Sequence, residues 1–271
     1  MSRRRYSWDE RRISNYIREG RGIGRGSNYT PWLTTADVPS IGRSHRAFCS
    51  KTDRVHHLLS DNEYASFLRY YYEDDVVDIR EQFPLDRIET ILIAEVLGVR
   101  HPVDRVSRTP LVMTTDLLIT RKVPCGLREY AYAVKEDEDL EKPRTIEKLE
   151  IERIYWATRG VAWKIQRRSE LKTNAALNLA WIFDSDATVD WGSAWIAHIK
   201  SQLESIVRLY PAAAIGLACR LLDNQSGLAI GTALAVARAL LARKELLVDL
   251  NLDPPLAERS CSNFSFAEGR T

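Results

Sequence analysis

Cysteine and histidine are scarce in this chain. Four cysteines (Cys49, Cys125, Cys219 and Cys261) and five histidines are spread over 271 residues. There is no C-x-x-C pair, and the adjacent His56 and His57 rarely could face one metal together. A structural zinc site and a disulfide framework are therefore not expected. Long apolar runs are missing as well. The longest, "GLAIGTALAVARALLA" (residues 227–242), is too short to span a bilayer and carries Arg238. No apolar segment follows the first arginines as it would in a secretory signal. The triplet Gly22-Ile23-Gly24 has neither a strand before it nor a P-loop lysine after it, so a dinucleotide or nucleoside-triphosphate cradle is not expected. No long internal repeat is present. What remains is a soluble globular protein, expected in the cytoplasm and without membrane attachment.

The charge is balanced overall, at a formal +2, but unevenly placed. Residues 1–54 hold twelve basic side chains against five acidic ones, and eleven of the twelve are arginine. Guanidinium forks suit phosphate oxygens, so the concentration points to nucleic acid. The alternative is a solvated surface balanced by acids elsewhere in the fold. Arg21, Arg25, Arg43 and Arg46 lie in "GRGIGRGSNYTPW" and "PSIGRSHR". The first is expected as an extended basic loop along a phosphate backbone, the second as a basic turn.

Periodicity predicts a mixed α/β domain over residues 1–169, including the basic segment 1–54. "SWDERRISNYIREG" reads as a helix capped by Ser7 and Glu10 and ended by Gly20. "LLSDNEYASFLRYYYEDD" reads as a helix with Ser60 as N-cap, "VVDIREQFPL" as a strand, and "IETILIAEVLGV" as a helix stopped by Gly98. "PLVMTTDLLIT" and "LREYAYAVKE" are two strands around a turn at 122–126. "TIEKLEIERIYWATRG" is a helix and "VAWKIQR" a strand. Residues 170–256 turn almost wholly helical. "SAWIAHIKSQLESIVRLY" carries an apolar stripe, and a helix-turn-helix follows, then the strand "KELLVDLNL" before Pro254-Pro255, the pattern of a winged helix. Its second helix is mostly Ala and Leu, which favours packing or a protein partner over base readout. Residues 257–271 are polar and expected to be disordered.

One residue is out of place in this pattern. "LVMTTDLLIT" (residues 111–120) reads as a buried strand with a carboxylate, Asp116, in its middle. A buried charge costs several kcal/mol unless it is paired or coordinates a metal. If the turn centres on Pro124-Cys125, opposed residues have numbers summing to 249, which sets Asp116 opposite Ala133 and puts Lys135 on the same face. Aspartate on one strand and x-Lys on the next is the core of metal-dependent nucleases. Carboxylates hold Mg²⁺, which activates water and neutralises developing charge, and a lysine orients the water or stabilises the transition state. Glu63, on the preceding helix, is the candidate second carboxylate. Each residue also has a structural reading. Glu63 stands three after Ser60, as a capping-box glutamate does. Asp116 and Lys135 make a plausible ion pair, and Lys135 at the start of "KEDEDLEK" reads as a solvated edge-strand lysine.

"SDNEYASFL", "VDIREQFPL", "LVMTTDLLIT", "KLEIERIYW" and "VAWKIQ" together resemble the TnsA family, the endonuclease subunits of heteromeric bacterial cut-and-paste transposases. The resemblance runs from about Trp8 through the helix-turn-helix. It implies a restriction-endonuclease-like catalytic domain at 1–169 and a small winged-helix-like domain at 170–256. It implies Glu63, Asp116 and Lys135 as catalytic residues, with Glu63 and Asp116 as metal ligands. The expected cofactor is Mg²⁺, as one or two ions, with Mn²⁺ able to substitute. The implied partners are double-stranded DNA at transposon ends, a DDE-type transposase (TnsB) and an AAA+ ATPase regulator (TnsC). The subunit would cut the 5′ ends, on the non-transferred strand. One position departs from the pattern: two before the lysine, where such nucleases usually carry Glu or Gln, stands Ala133. The missing ligand would have to come from elsewhere, with the Val134 carbonyl, Glu81 and Gln82 as candidates. The same departure favours a rival reading, a degraded nuclease fold serving as a scaffold that binds DNA and protein.

Overall fold

The structure is a computed structural model that describes residues 7–38, 43–183, 185, 189 and 194–267. It divides into two compact units, Met1–Leu171 and Lys172–Thr271.

The first unit contains α1 (Glu10–Arg18), β1 (His45–Cys49), β2 (Arg54–Leu58), α2 (Asp61–Tyr72), β3 (Val76–Pro84), α3 (Arg87–Leu97), β4 (Thr114–Val123), β5 (Gly126–Lys135), α4 (Pro143–Ala157), β6 (Ala162–Arg167) and α5 (Arg168–Leu171). Four strands form one mixed sheet in the order β3-β4-β5-β6. The first three run antiparallel, and β6 runs parallel to β5. A parallel neighbour needs a crossover, and α4 supplies it. Ile79, Leu117, Leu118, Ile119, Ala131 and Ala133 are buried, as in a sheet covered on both faces. From Leu117 opposite Tyr132 to Val123 opposite Gly126, paired numbers in the β4–β5 hairpin sum to 249. That is the register a turn at Pro124-Cys125 demands.

Several local expectations are corrected. The N-cap of α1 is Asp9, whose side chain accepts the Arg12 amide, while the Ser7 hydroxyl bonds Asp104. Pro39–Gly42 of the expected second basic turn lie outside the described residues. The glycine-arginine segment is not extended. It folds back in tight turns, and Gly22, at φ +80°, packs so closely on the end of β3 that a Cβ there would meet Pro84 at 2.1 Å.

The β1–β2 hairpin has no counterpart in the sequence reading. Its inward positions on β2 are Arg54, His56 and Leu58, so two of the three look polar and hide the alternation. They are buried because Glu81 is buried with them. Arg54 grips both Glu81 oxygens at 2.8 and 2.6 Å, and the His56 ring lies 2.8 Å from Oε2. Burial alone would raise the Glu81 pKa. The His56 and Arg54 charges outweigh it and hold Glu81 well below the usual carboxylate range.

The second unit holds α6 (Asn174–Ile182), α7 (Ala194–Leu209), α8 (Ile215–Gln225), α9 (Thr232–Ala242), and a two-stranded antiparallel pair, β7 (Leu246–Val248) with β8 (Phe264–Phe266). Ile196, Ile199, Leu203 and Ile206 of the α7 stripe are buried, whereas Trp195 and Tyr210 are exposed. Asp223 on α8 caps α9 from outside, accepting the amides of Gly231 and Ala233 at 2.7 and 2.8 Å. The expected disordered tail is corrected through residue 267. Cys261 and Phe264 enter the core, and β8 completes β7; residues 268–271 lie outside the described ones. Among the described residues, no helix is long and apolar enough to cross a membrane.

Removing one partner of a buried ion pair strands the other. Arg54→Met should therefore cost about 3–5 kcal/mol in urea denaturation. Burial lowers the His56 pKa, but Glu81 and Cys49 raise it more, leaving it above 6.5. Its stabilisation is then full below 6.5 and is lost as pH rises through the folded value. His56→Gln should accordingly cost more at pH 6 than at pH 9.

Candidate active site

Glu63 enters the site from the first turn of α2. Ser60 caps that helix, its hydroxyl accepting the Glu63 amide at 3.1 Å. The Glu63 carboxylate reaches back, with Oε2 accepting the Leu59 amide at 2.9 Å and Oε1 accepting the Ser60 hydroxyl at 3.2 Å. Capping geometry and a place in the site thus coexist in one side chain.

Asp116 enters from β4, just before the β4–β5 ladder begins. Its Oδ2 accepts the Val134 amide at 2.7 Å and the Lys135 ammonium at 2.8 Å. Lys135 also donates to the Val134 carbonyl at 2.8 Å. Gln82 lies between the two acids. Its Nε2 donates to Glu63 Oε2 at 3.3 Å and to Asp116 Oδ1 at 3.4 Å, while its Oε1 accepts the Thr114 hydroxyl at 3.0 Å. Gln82 has φ +47°, in the left-handed region that non-glycine residues rarely occupy.

A third carboxylate, Glu152 of α4, faces the same cleft. It accepts the Thr115 hydroxyl at 2.8 Å and the Trp163 indole N–H at 3.0 Å. Thr115 in turn accepts the Trp156 indole N–H at 2.7 Å. The cleft is about 580 Å³ and is lined by Asp116, Val134, Lys135, Glu152, Thr114 and Lys148, among others.

Negative charge is crowded here. Burial, and then the Asp116 charge, pushes Glu63 up to about 7. The same two causes push Glu152 to about 7. Burial opposes the Lys135 charge, but Asp116 and Glu152 outweigh it and raise the Lys135 pKa. Among the described residues, no group of three or more His, Cys, Asp or Glu side chains is arranged to hold a metal ion. Gln82 turns its Nε2 toward Glu63 and Asp116 and its Oε1 toward Thr114, and the Val134 carbonyl accepts Lys135.

The structure thus brings Glu63, Asp116, Val134 and Lys135 together. Glu81 does not join them, because Arg54 and His56 hold it elsewhere. Ala133 is buried and contributes no ligand atom from its side chain. Of the four arginines expected on DNA, Arg21 is engaged internally. It pairs with Asp37 at 2.7 Å, donates to the Trp32 carbonyl and stacks 3.5 Å from the Tyr16 ring centroid. Arg25 pairs with Glu129 at 2.7 Å but keeps an exposed side chain. Arg43 and Arg46 are exposed. Glu152 escaped sequence reading, although a signal was present: in "KLEIERIYW" it falls between Leu149 and Tyr155/Trp156, a glutamate inside a helix's apolar stripe.

Comparison with known proteins adds to this geometry. The family described as TnsA-like endonuclease N terminal matches residues 73–167, and that described as TnsA endonuclease C terminal matches residues 170–250. The transposon Tn7 transposition protein TnsA of Escherichia coli is 37% identical over 268 residues, covering 99% of this chain and 96% of that protein. Glu63 lies outside the residues of the N-terminal match.

The raised Glu63 pKa carries a sign. Between 4.5 and about 7 the folded chain keeps the proton that the unfolded chain has released. Stability therefore falls as pH rises through that window. In chelator-treated protein, Glu63→Gln should be more stable than wild type by about 1–3 kcal/mol at pH 8 and equal to it at pH 5, measured by thermal unfolding. A pH-independent difference would show that Glu63 is ionised throughout.

Proposed function

The chain belongs to the TnsA endonuclease family, and we propose that it is the subunit that cuts the 5′ ends of a transposon, on the non-transferred strand, by divalent-cation-assisted hydrolysis. The observation that carries this reading is the convergence of Glu63, Asp116 and Lys135, with Lys135 bonded to Asp116 and Gln82 bridging Asp116 to Glu63. The residues suit a divalent cation: a buried carboxylate, Glu63, and a half-buried one, Asp116, share one amide donor, and Glu63 is raised to about 7. Glu63, Asp116 and the Val134 carbonyl would hold Mg²⁺, as one or two ions, and the all-oxygen set also accepts Mn²⁺. When bound, the ion lowers the pKa of a coordinated water and neutralises charge developing on the phosphate. Lys135, tethered to Asp116 and the Val134 carbonyl, orients the attacking water or a phosphate oxygen.

The DNA backbone would be gripped by Arg25, Arg43 and Arg46, while Arg21 is held internally by Asp37, Trp32 and Tyr16. The partners that fit a subunit of this kind are double-stranded transposon ends, a DDE-type transposase (TnsB) that cuts and joins the 3′ ends, and an AAA+ ATPase (TnsC). The second unit is assigned a winged-helix-like role in holding a protein partner. Its α9 buries Ala233, Val236, Ala237, Ala239, Leu240 and Leu241, and Arg238 donates to the Trp181 carbonyl, which leaves little of the helix to read bases. Ala133 supports a second reading, a scaffold without catalysis.

A strand-specific cleavage assay with the transposase, the ATPase, ATP and Mg²⁺ separates the two. Asp116→Ala should lower 5′-end cutting at least about a hundredfold while 3′-end joining persists; identical products from wild type and variant would establish the scaffold. DNA affinity should fall with salt at a log–log slope of about −0.9 per phosphate contacted. Replacing Arg43 and Arg46 by Ala should flatten that slope by about 2.

A further inference from the structure

We propose that Gln82 is the oxygen ligand that Ala133 does not supply, reached by turning its side-chain amide over. This rests on the cation site argued above and identifies a residue of that site.

Three observations place Gln82 there. The first is its position. The ladder that pairs Glu81 with Leu117 and Phe83 with Thr115 sets Gln82 across from Asp116. The amide lies within hydrogen-bond reach of both acids, at 3.3 and 3.4 Å. The second is its backbone. A glutamine at φ +47° is strained, and such strain persists only where the surroundings over-determine it. Here the strain sits between adjacent residues with different tasks: Glu81 faces Arg54 and His56, and Gln82 faces Glu63 and Asp116. The third is its other partner. Oε1 accepts the Thr114 hydroxyl at 3.0 Å, and a hydroxyl can donate or accept.

Together these make a reversible arrangement. Without a cation, the amide N–H₂ faces the carboxylates and eases their repulsion, while the carbonyl faces Thr114. Turned over, the carbonyl oxygen faces the carboxylate pair and the N–H₂ faces Thr114, whose hydroxyl rotates to accept. Either orientation leaves the buried amide partnered, so the exchange strands no polar group. The cost of turning makes cation binding weaker than a site with that oxygen already in place would give.

The sign of one substitution tests this. Met matches Gln in shape and has neither donor nor oxygen. If Gln82 merely occupies the cation's place, Gln82→Met removes a competitor and Mn²⁺ binds more tightly. If Gln82 is a ligand, Mn²⁺ binds about tenfold more weakly or worse. Calorimetric titration of Mn²⁺ into the full chain without DNA, for wild type, Gln82→Met and Asp116→Ala, reads this directly. Weaker binding by Gln82→Met is the expected result, and equal or tighter binding overturns the assignment. Should Gln82→Met fail to fold, a Mn²⁺-bound crystal structure of the wild type decides: the Gln82 amide oxygen in contact with the ion supports the proposal, and an amide remote from it refutes it. Wild type and Asp116→Ala taking up Mn²⁺ alike would sink the cation site itself, and the role of Gln82 with it. Equal binding by wild type and Gln82→Met, with Asp116→Ala inactive in binding, sinks the role of Gln82 alone.

Discussion

The site depends on how one carboxylate is satisfied. Asp116 stands where β4 emerges from its hairpin with β5, and its Oδ2 takes the backbone amide of Val134 and the ammonium of Lys135 together. The first bond ties β5 to β4 beyond the last paired residues, and the second aims Lys135. A buried amide left unpaired would cost free energy comparable to a lost hydrogen bond, so the carboxylate secures the strand end while it builds the site. The remaining oxygen, Oδ1, faces Gln82 and, beyond it, Glu63. Pairing, aiming and charge crowding thus follow from one residue.

Around it, the fold separates charges that would otherwise interfere. Glu81 and Gln82 are neighbours in the chain, yet the first is locked into Arg54 and His56 and the second opens toward the acids. The left-handed backbone at Gln82 accompanies that change of environment. On the other side, Glu152 is held by Thr115 and Trp163, with Trp156 donating to Thr115. Two acids with pKa values near 7 therefore flank an aspartate paired with a lysine. Such crowding is poor for stability and suited to holding positive charge. Perturbed carboxylates gathered around one aspartate are what a functional site, more than a structural one, tends to contain. The second unit differs in kind: its buried acid, Asp223, accepts two amides at the start of α9 and serves packing.

Much of this was legible in the chain. Strong period-2 and period-3.6 patterns marked β3, β4, β5 and α2, α4, α7, α8 and α9, because each buries a face against the core and shows it as spacing; α3 was marked too, although its Ile88, Leu92 and Val96 are exposed. The register of the β4–β5 hairpin followed from the turn residues alone, since a two-residue turn leaves one pairing. That register brings Asp116 and Lys135 near each other, and the family motifs carried Glu63 to the same place.

Other features needed partners that sequence spacing does not reveal. The β1–β2 hairpin looked polar because Arg54 and His56 are buried only by virtue of Glu81, some 25 residues further on. The order of residues 257–267 comes from Phe264 and Cys261 reaching a core built by helices far back in the chain. Arg21 resembled a phosphate contact until Asp37 and Tyr16 closed on it. Gln82 was one of three candidates for the missing ligand, with nothing along the chain to choose it over Glu81, and Glu152 was an ordinary polar residue in its segment. Sequence by itself determined which segments are regular, one hairpin register and the family, because each is encoded in local spacing or in motifs. The tertiary structure decided which charges are buried and what each one faces, because electrostatic environment is set by neighbours in space and not along the chain.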